Sequence, residues 1–134
     1  MLWDLLLEIE TQLKTIPELK TINIGGEQGI KAKDTPAARI ILEERKVKHM
    51  QPYLDNGRLF IVLLLDRKNN VRQLYEDTLK LEEDIRNVLI PVSKIAFSLT
   101  TYDIDSNETV FKQTEISFDF SSIKNGKDVD GCNL

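Results

Sequence analysis

The fold is decided by one stretch, Gly57-Arg58-Leu59-Phe60-Ile61-Val62-Leu63-Leu64-Leu65-Asp66-Arg67. Seven consecutive apolar residues run from Leu59 to Leu65, with charged residues at both ends. This run is far shorter than the roughly 18 residues that a membrane-spanning helix needs, but as a strand it covers about 23 Å, an ordinary length. A half-buried strand alternates apolar and polar residues, and this run does not. Both of its faces are therefore expected to be covered, by helices or by another subunit, which predicts the central strand of a sheet.

The composition is that of a soluble globular domain. The chain has 134 residues, of which 41% are hydrophobic and 30% charged, and this favours a single domain with one core. The net charge of −4 disfavours general nucleic-acid binding, which needs a basic surface. The single cysteine, Cys132, excludes an internal disulfide framework. The apolar N-terminus lacks a basic start and carries Asp4 and Glu8, so we predict a cytoplasmic protein without a signal peptide.

Residues 2–15 are predicted to form a helix, because their apolar residues recur at spacings of three and four. Trp3 and Leu7 widen the apolar stripe beyond what one sheet face needs. Two interpretations stay open. The favoured one is a broad contact with the core, and the other is a helix partly covered by a partner chain. Trp3 and Leu7 are accordingly candidate partner-contact residues.

A glycine-rich stretch, Gly25-Gly26-Glu27-Gln28-Gly29, follows a predicted strand at residues 19–24. Its spacing does not match the dinucleotide-binding pattern, no Gly-Lys-Ser/Thr sequence is present, and no helix follows to bind a phosphate at its N-terminus. We predict a flexible loop and no cofactor.

A second strand, predicted at 37–46, is joined to the central strand by a loop from Lys46 to Gly57. The sequence Asp55-Asn56-Gly57 is typical of turns, because Asn and Gly tolerate a positive φ. Loops of this length are often functional. The only histidine could act as a general base, but no serine or cysteine nucleophile pattern accompanies it, so a surface histidine is favoured. The loop's candidate partner-contact residues are Lys46, Lys48, His49 and Tyr53.

The second half of the chain contains a helix at 71–89 and strands at 94–104 and 110–120. The helix carries five acids that we interpret as a solvated face and not as a metal site, namely Glu76, Asp77, Glu82, Glu83 and Asp84. In the first of these strands Ile95, Phe97 and Leu99 are expected on one face. The sequence thus predicts an α+β domain at 1–120, a mainly antiparallel sheet of four to five strands flanked by two helices, followed by a flexible polar tail at 121–134.

The layout resembles that of a known family, the small tail-terminator and tail-completion proteins of long-tailed bacteriophages. The resemblance covers residues 1 to about 120 and rests on five segments. These are Ile16-Pro17-Glu18-Leu19-Lys20, Thr35-Pro36-Ala37-Ala38-Arg39-Ile40, Leu59–Leu65, Leu89-Ile90-Pro91 and Phe111-Lys112-Gln113-Thr114-Glu115-Ile116-Ser117-Phe118.

The resemblance implies a protein that is not an enzyme, and the residues themselves show no cofactor-binding loop and no metal-ligand spacing, so neither a cofactor nor a metal is predicted. It implies a homo-hexameric ring that caps the tail tube and joins it to head-completion proteins, in the host cytoplasm during assembly and then in the virion tail. DNA would pass through the lumen without specific binding. Two alternatives remain. One is a cytoplasmic adaptor that recruits another protein through a sheet edge or the 46–53 loop, and the other is a small enzyme using His49.

Overall fold

A computed structural model describes residues 2–26, 29–48, 53–66, 70–104 and 111–124. The helices are α1 (Leu2–Leu13) and α2 (Val71–Leu89), and the strands are β1 (Thr21–Ile24), β2 (Ala37–Lys48), β3 (Tyr53–Asp66), β4 (Ile95–Asp103) and β5 (Phe111–Lys124). These strands form a five-stranded sheet in the order β1-β2-β3-β5-β4, in which only the β1–β2 pair is parallel. The α+β prediction is confirmed.

The apolar run lies in β3, at the centre of the sheet, as predicted. Its odd-numbered residues, Leu59 to Leu65, are 0–2% exposed and belong to the main core beneath the helices. On the opposite face Val62 and Leu64 are also buried, together with Ala37 and against the partly buried Ile30. Neighbouring strands and the segment before β2 thus cover the centre of this face. The two-sided burial of β3 therefore needs no second subunit.

Both helices pack on the same face of the sheet. In α2 the buried positions keep the helical spacing, and the Asn70 side chain caps the helix by accepting a hydrogen bond from the Gln73 backbone N–H at 3.2 Å. Helix α1 contacts β1 and α2, whereas α2 contacts β3, so α1 lies over the β1 end of the sheet. Within the described residues, neither helix combines the length and apolar character that crossing a membrane requires.

The predicted turn at Asp55-Asn56-Gly57 is wrong, because all three residues lie inside β3 and pair with β2. Asp55 is 3% exposed and accepts two hydrogen bonds from the Arg45 guanidinium, at 2.9 and 2.8 Å. Gly57 allows a close approach, since a Cβ there would lie 2.0 Å from the Glu44 carbonyl oxygen and 2.8 Å from the Phe120 ring. Asp55 and Gly57 therefore lie within the paired strands of a long hairpin and not in its turn.

Other boundaries shift by a few residues. Helix α1 ends at Leu13, two residues before the predicted end, and β1 begins at Thr21 instead of residue 19. Strand β5 continues to Lys124, four residues beyond the predicted end of the last strand. The first four residues of the predicted tail are therefore strand, paired with β3. The remainder of that tail, 125–134, lies outside the described residues.

Candidate subunit-contact surface

Most of the exposed apolar side chains belong to α2 and β4. Among the described residues ten large hydrophobic side chains are exposed, and seven of them belong to α2, its C-cap residue or β4. These seven are Val71, Tyr75, Leu79, Ile90, Phe97, Leu99 and Tyr102. Within the described part of the chain, β4 pairs only with β5. Its outer edge therefore offers backbone N–H and C=O groups to another chain.

A groove of about 460 Å³ lies between α2 and β4, and we refer to it as the α2–β4 groove. It is lined by Leu79, Glu82, Glu83, Arg86, Asn87, Ile90 and Phe97. The guanidinium carbon of Arg86 lies 3.9 Å from the centre of the Phe97 ring, which is a cation–π contact. Because the Arg86 side chain remains 45% exposed, a further planar group can contact it.

A buried carboxylate joins the two walls of the groove. Glu82 of α2 accepts hydrogen bonds from the hydroxyls of Thr100, at 2.6 Å, and Tyr102, both on β4. The Arg86 guanidinium lies 3.9 Å from the same carboxylate. Partial burial of the phenol, together with the hydrogen bond to Glu82, raises the pKa of Tyr102 to about 12. The phenol therefore stays a neutral donor at physiological pH, and β4 is held against α2 in a preformed groove.

Two predictions from the sequence fail at this surface. The helical pattern predicts a solvated Glu82, but this residue is only 6% exposed because β4 supplies two hydroxyl donors. Strand alternation predicts Leu99 on the same face as Phe97, but an irregularity in the β4–β5 register between these residues turns Leu99 to the opposite face. Periodicity within one element could not reveal these features. The burial of Glu82 depends on β4, and the orientation of Leu99 depends on the pairing of β4 with β5.

The structure places Trp3 and Leu7 on the exposed side of α1, where they are 57% and 37% exposed. They lie one helical turn apart and so form one small apolar ridge. Of the two interpretations that the sequence left open, a broad core contact does not account for Trp3, because more than half of its surface is exposed.

Three of the other four predicted contact residues have their backbones near the end of the β2–β3 hairpin. Lys46 is an exposed residue of β2, and the backbones of Lys48 and Tyr53 belong to β2 and β3. The side chains of Lys48 and Tyr53, and all of His49, lie outside the described residues.

A second cavity, of about 470 Å³, lies between the first half of α2 and the segment before β2. Its charged lining includes Lys80 and Glu18, whose charged atoms lie 4.0 Å apart, and also Lys20, Asp66 and Asp77. In the part of the chain that the structure describes, no group of three or more His, Cys, Asp or Glu side chains is arranged to hold a metal ion.

No protein-family model matches the chain, and comparison with curated proteins gives no significant match.

Proposed function

We propose that this chain is a non-enzymatic structural protein of a bacteriophage or prophage that assembles as an oligomeric ring, capping the tail tube and joining tail to head. The observation that carries the proposal is the open α2–β4 edge. Soluble monomers rarely expose clustered apolar side chains beside an unpaired strand edge, because such an edge promotes association. A surface of this kind is expected on a protein that works between copies of itself.

Two further features support a ring around DNA. The chain has a net charge of −4, so a channel built from it does not attract the phosphate backbone strongly. Exposed apolar side chains also lie at two separate places, with Leu79, Ile90 and Phe97 in the α2–β4 groove and Trp3 and Leu7 on α1. Two different surfaces on one chain are what head-to-tail contacts need, and such contacts close into rings. In this proposal the ring binds the tail tube and head-completion proteins, first in the host cytoplasm and then in the virion.

The open edge of β4 also favours a second candidate function, a protein-binding adaptor. An extended peptide could add to β4 as a further strand, with its side chains in the α2–β4 groove. This candidate predicts a monomeric or dimeric protein with a single binding surface.

Solution mass distinguishes the two candidates. We expect light scattering coupled to size exclusion to give about 92 kDa, six copies of 15.4 kDa, and electron microscopy to show rings with a central hole. A monomer at every protein and salt concentration would contradict a self-assembling ring and favour the adaptor.

A further inference from the structure

The open edge of β4 has the same arrangement of residues when the strand is reversed. Four of its side chains point to the sheet face that carries the helices, namely Ile95, Phe97, Thr100 and Tyr102. The β4–β5 register leaves out Ser98, between Phe97 and Leu99, so two residues instead of one separate the first pair from the second. The pattern is therefore symmetric about a point between Ser98 and Leu99.

The same four residues direct their backbone groups away from β5. The Lys94 carbonyl oxygen accepts a hydrogen bond from the Ser121 N–H at 3.1 Å, so residue 94 faces β5. Such residues alternate along an antiparallel pair, and the register continues the set at positions 96, 99, 101 and 103. The N–H and C=O groups of the other four residues therefore point outward along the edge. Among them the Ile95 N–H is already used, because it donates to the Val92 carbonyl oxygen at 3.4 Å.

We propose that β4 pairs with β4 of a second copy, antiparallel, about a two-fold axis between Ser98 and Leu99. In this register Ile95 lies opposite Tyr102 of the second copy and Phe97 opposite its Thr100, so all the outward-pointing residues face one another. Each pair joins an aromatic to a β-branched side chain, which is a favourable cross-strand combination. The contact goes beyond the proposed ring and does not rest on it, because head-to-tail contacts join different surfaces and this contact joins identical ones.

Charge selects the same register. Lys94 precedes β4 and Asp103 ends it, and both side chains are exposed. Antiparallel pairing about the two-fold axis places Lys94 of each copy opposite Asp103 of the other, on the sheet face away from the helices, so two pairs of opposite charges form. Parallel pairing would place like charges side by side. Charge therefore favours a reversed second copy as the occupant of this edge.

The exposed charges of the α2–β4 groove also match across this axis. Arg86 lies over Phe97, and Phe97 pairs with Thr100 of the second copy, which is hydrogen-bonded to Glu82 of its own α2. Arg86 of each copy is therefore level with Glu82 and the exposed Glu83 of the other copy. The two-fold axis sets the basic part of each groove opposite the acidic part of its mate, so the acidic character of one groove does not oppose pairing.

Charge reversal tests the contact. Lys94→Asp and Asp103→Lys each replace two pairs of opposite charges by two pairs of like charges at exposed positions, so both variants should fold as the wild type does. We expect each to weaken self-association by about tenfold, measured by sedimentation over a range of concentrations. Lys33→Asp, at an exposed position before β2, changes the net charge as Lys94→Asp does and should leave association unchanged.

Restoring the opposite charges gives the sharper result. An equimolar mixture of Lys94→Asp and Asp103→Lys chains pairs opposite charges at both ends of the contact, and so does a chain that carries both substitutions. We expect both samples to associate as the wild type does. A contact that does not join β4 to itself in this register would give no such rescue.

Hydrogen exchange followed by NMR tests the backbone pairing. The amide hydrogens of Phe97, Thr100 and Tyr102 point outward, so they should exchange rapidly at concentrations that give monomers and slowly once copies pair. The amide hydrogens of Leu99 and Thr101 face β5 and are the control, since they should be protected in both states. Unchanged exchange at the three outward positions would overturn the contact.

The mass of the particles separates this contact from the ring. Dimers of two 15.4 kDa chains that show the charge rescue would support the contact and count against the ring. Rings that neither charge reversal weakens would overturn the contact and leave the ring standing. A wild type that stays monomeric at every concentration would overturn the contact.

Discussion

Strands β3 and β4 are both rich in apolar residues, but the apolar side chains of β3 are buried, whereas several of those in β4 are exposed. In β3, every residue from Ile61 to Leu65 is at most 9% exposed. In β4, Phe97, Leu99 and Tyr102 are 40–53% exposed. The difference follows from sheet position, because β3 has a strand on each side and α2 over one face, whereas among the described residues β4 has a neighbouring strand on one side only.

This difference separates residues that hold the fold from residues available to a partner. Hydrophobic side chains in β3 stabilise the monomer by leaving water. Those at the β4 edge contribute little in the monomer, and burial in an assembly would give them a larger effect. Substitutions in β3 should therefore lower the free energy of unfolding of the monomer, whereas substitutions at the β4 edge should weaken assembly.

The largest expected effect is at the centre of β3. Ile61→Ala should lower the free energy of unfolding by about 2–5 kcal/mol, because the side chain is fully buried and its removal leaves a cavity. Leu99→Ala, at a 53% exposed position, should change it by less than about 1 kcal/mol. Urea unfolding, followed by circular dichroism at a concentration that gives monomers, measures both. Equal losses would show that Leu99 is already buried in the monomer.

A second prediction concerns the hairpin that extends β2 and β3. Gly57→Ala should lower the free energy of unfolding by about 1–3 kcal/mol, since the added methyl group would meet backbone atoms of Glu44 and Arg45 at 2.0 and 2.9 Å. Gly29→Ala is the matched control, because nothing lies within 4 Å of a Cβ there. Unfolding midpoints of the two variants give the comparison. If Gly57→Ala were as stable as the control, the close approach of β2 to Gly57 would be wrong.

The centre of the fold was predictable from the sequence because an unbroken apolar run of strand length is explained best by a central strand. The extension of the β2–β3 hairpin through residues 55–57 was not predictable in the same way. Asp55-Asn56-Gly57 is typical of turns, but its pairing with β2 and β5, together with the contact of Asp55 with Arg45 ten residues earlier in the chain, keeps it in a strand. Local propensity was overridden by a tertiary contact.

The α2–β4 groove was missed for a related reason. Helical periodicity assigned Glu82 to a solvated face, because the hydroxyls that bury it come from β4, 18 and 20 residues later. Trp3 and Leu7, by contrast, were recognisable as candidate contacts because they widen a stripe within a single helix. Patterns within one element are visible in the sequence, whereas a site formed between two elements needs their relative placement.

The smallest expected effect is a titration that reports whether β4 stays attached to α2. Tyr102 should ionise near pH 12, because partial burial and the Glu82 carboxylate disfavour its phenolate. Its pKa is raised above the ordinary value of about 10, so its contribution to stability is present below pH 10 and is lost between about pH 10 and 12. Phenolate absorbance, recorded just after a rapid pH jump and before unfolding, should show this late step.

Two variants identify the cause of the late step. Tyr102→Phe should abolish it, and the alkaline loss of stability should become shallower because no proton is released at that position. Glu82→Gln should instead move the step towards pH 10, because the carboxylate charge that opposes ionisation is gone while a hydrogen-bonding side chain remains. An unchanged step in Glu82→Gln would mean that burial alone sets the pKa of Tyr102, and that β4 is held to α2 by packing without a contribution from the carboxylate.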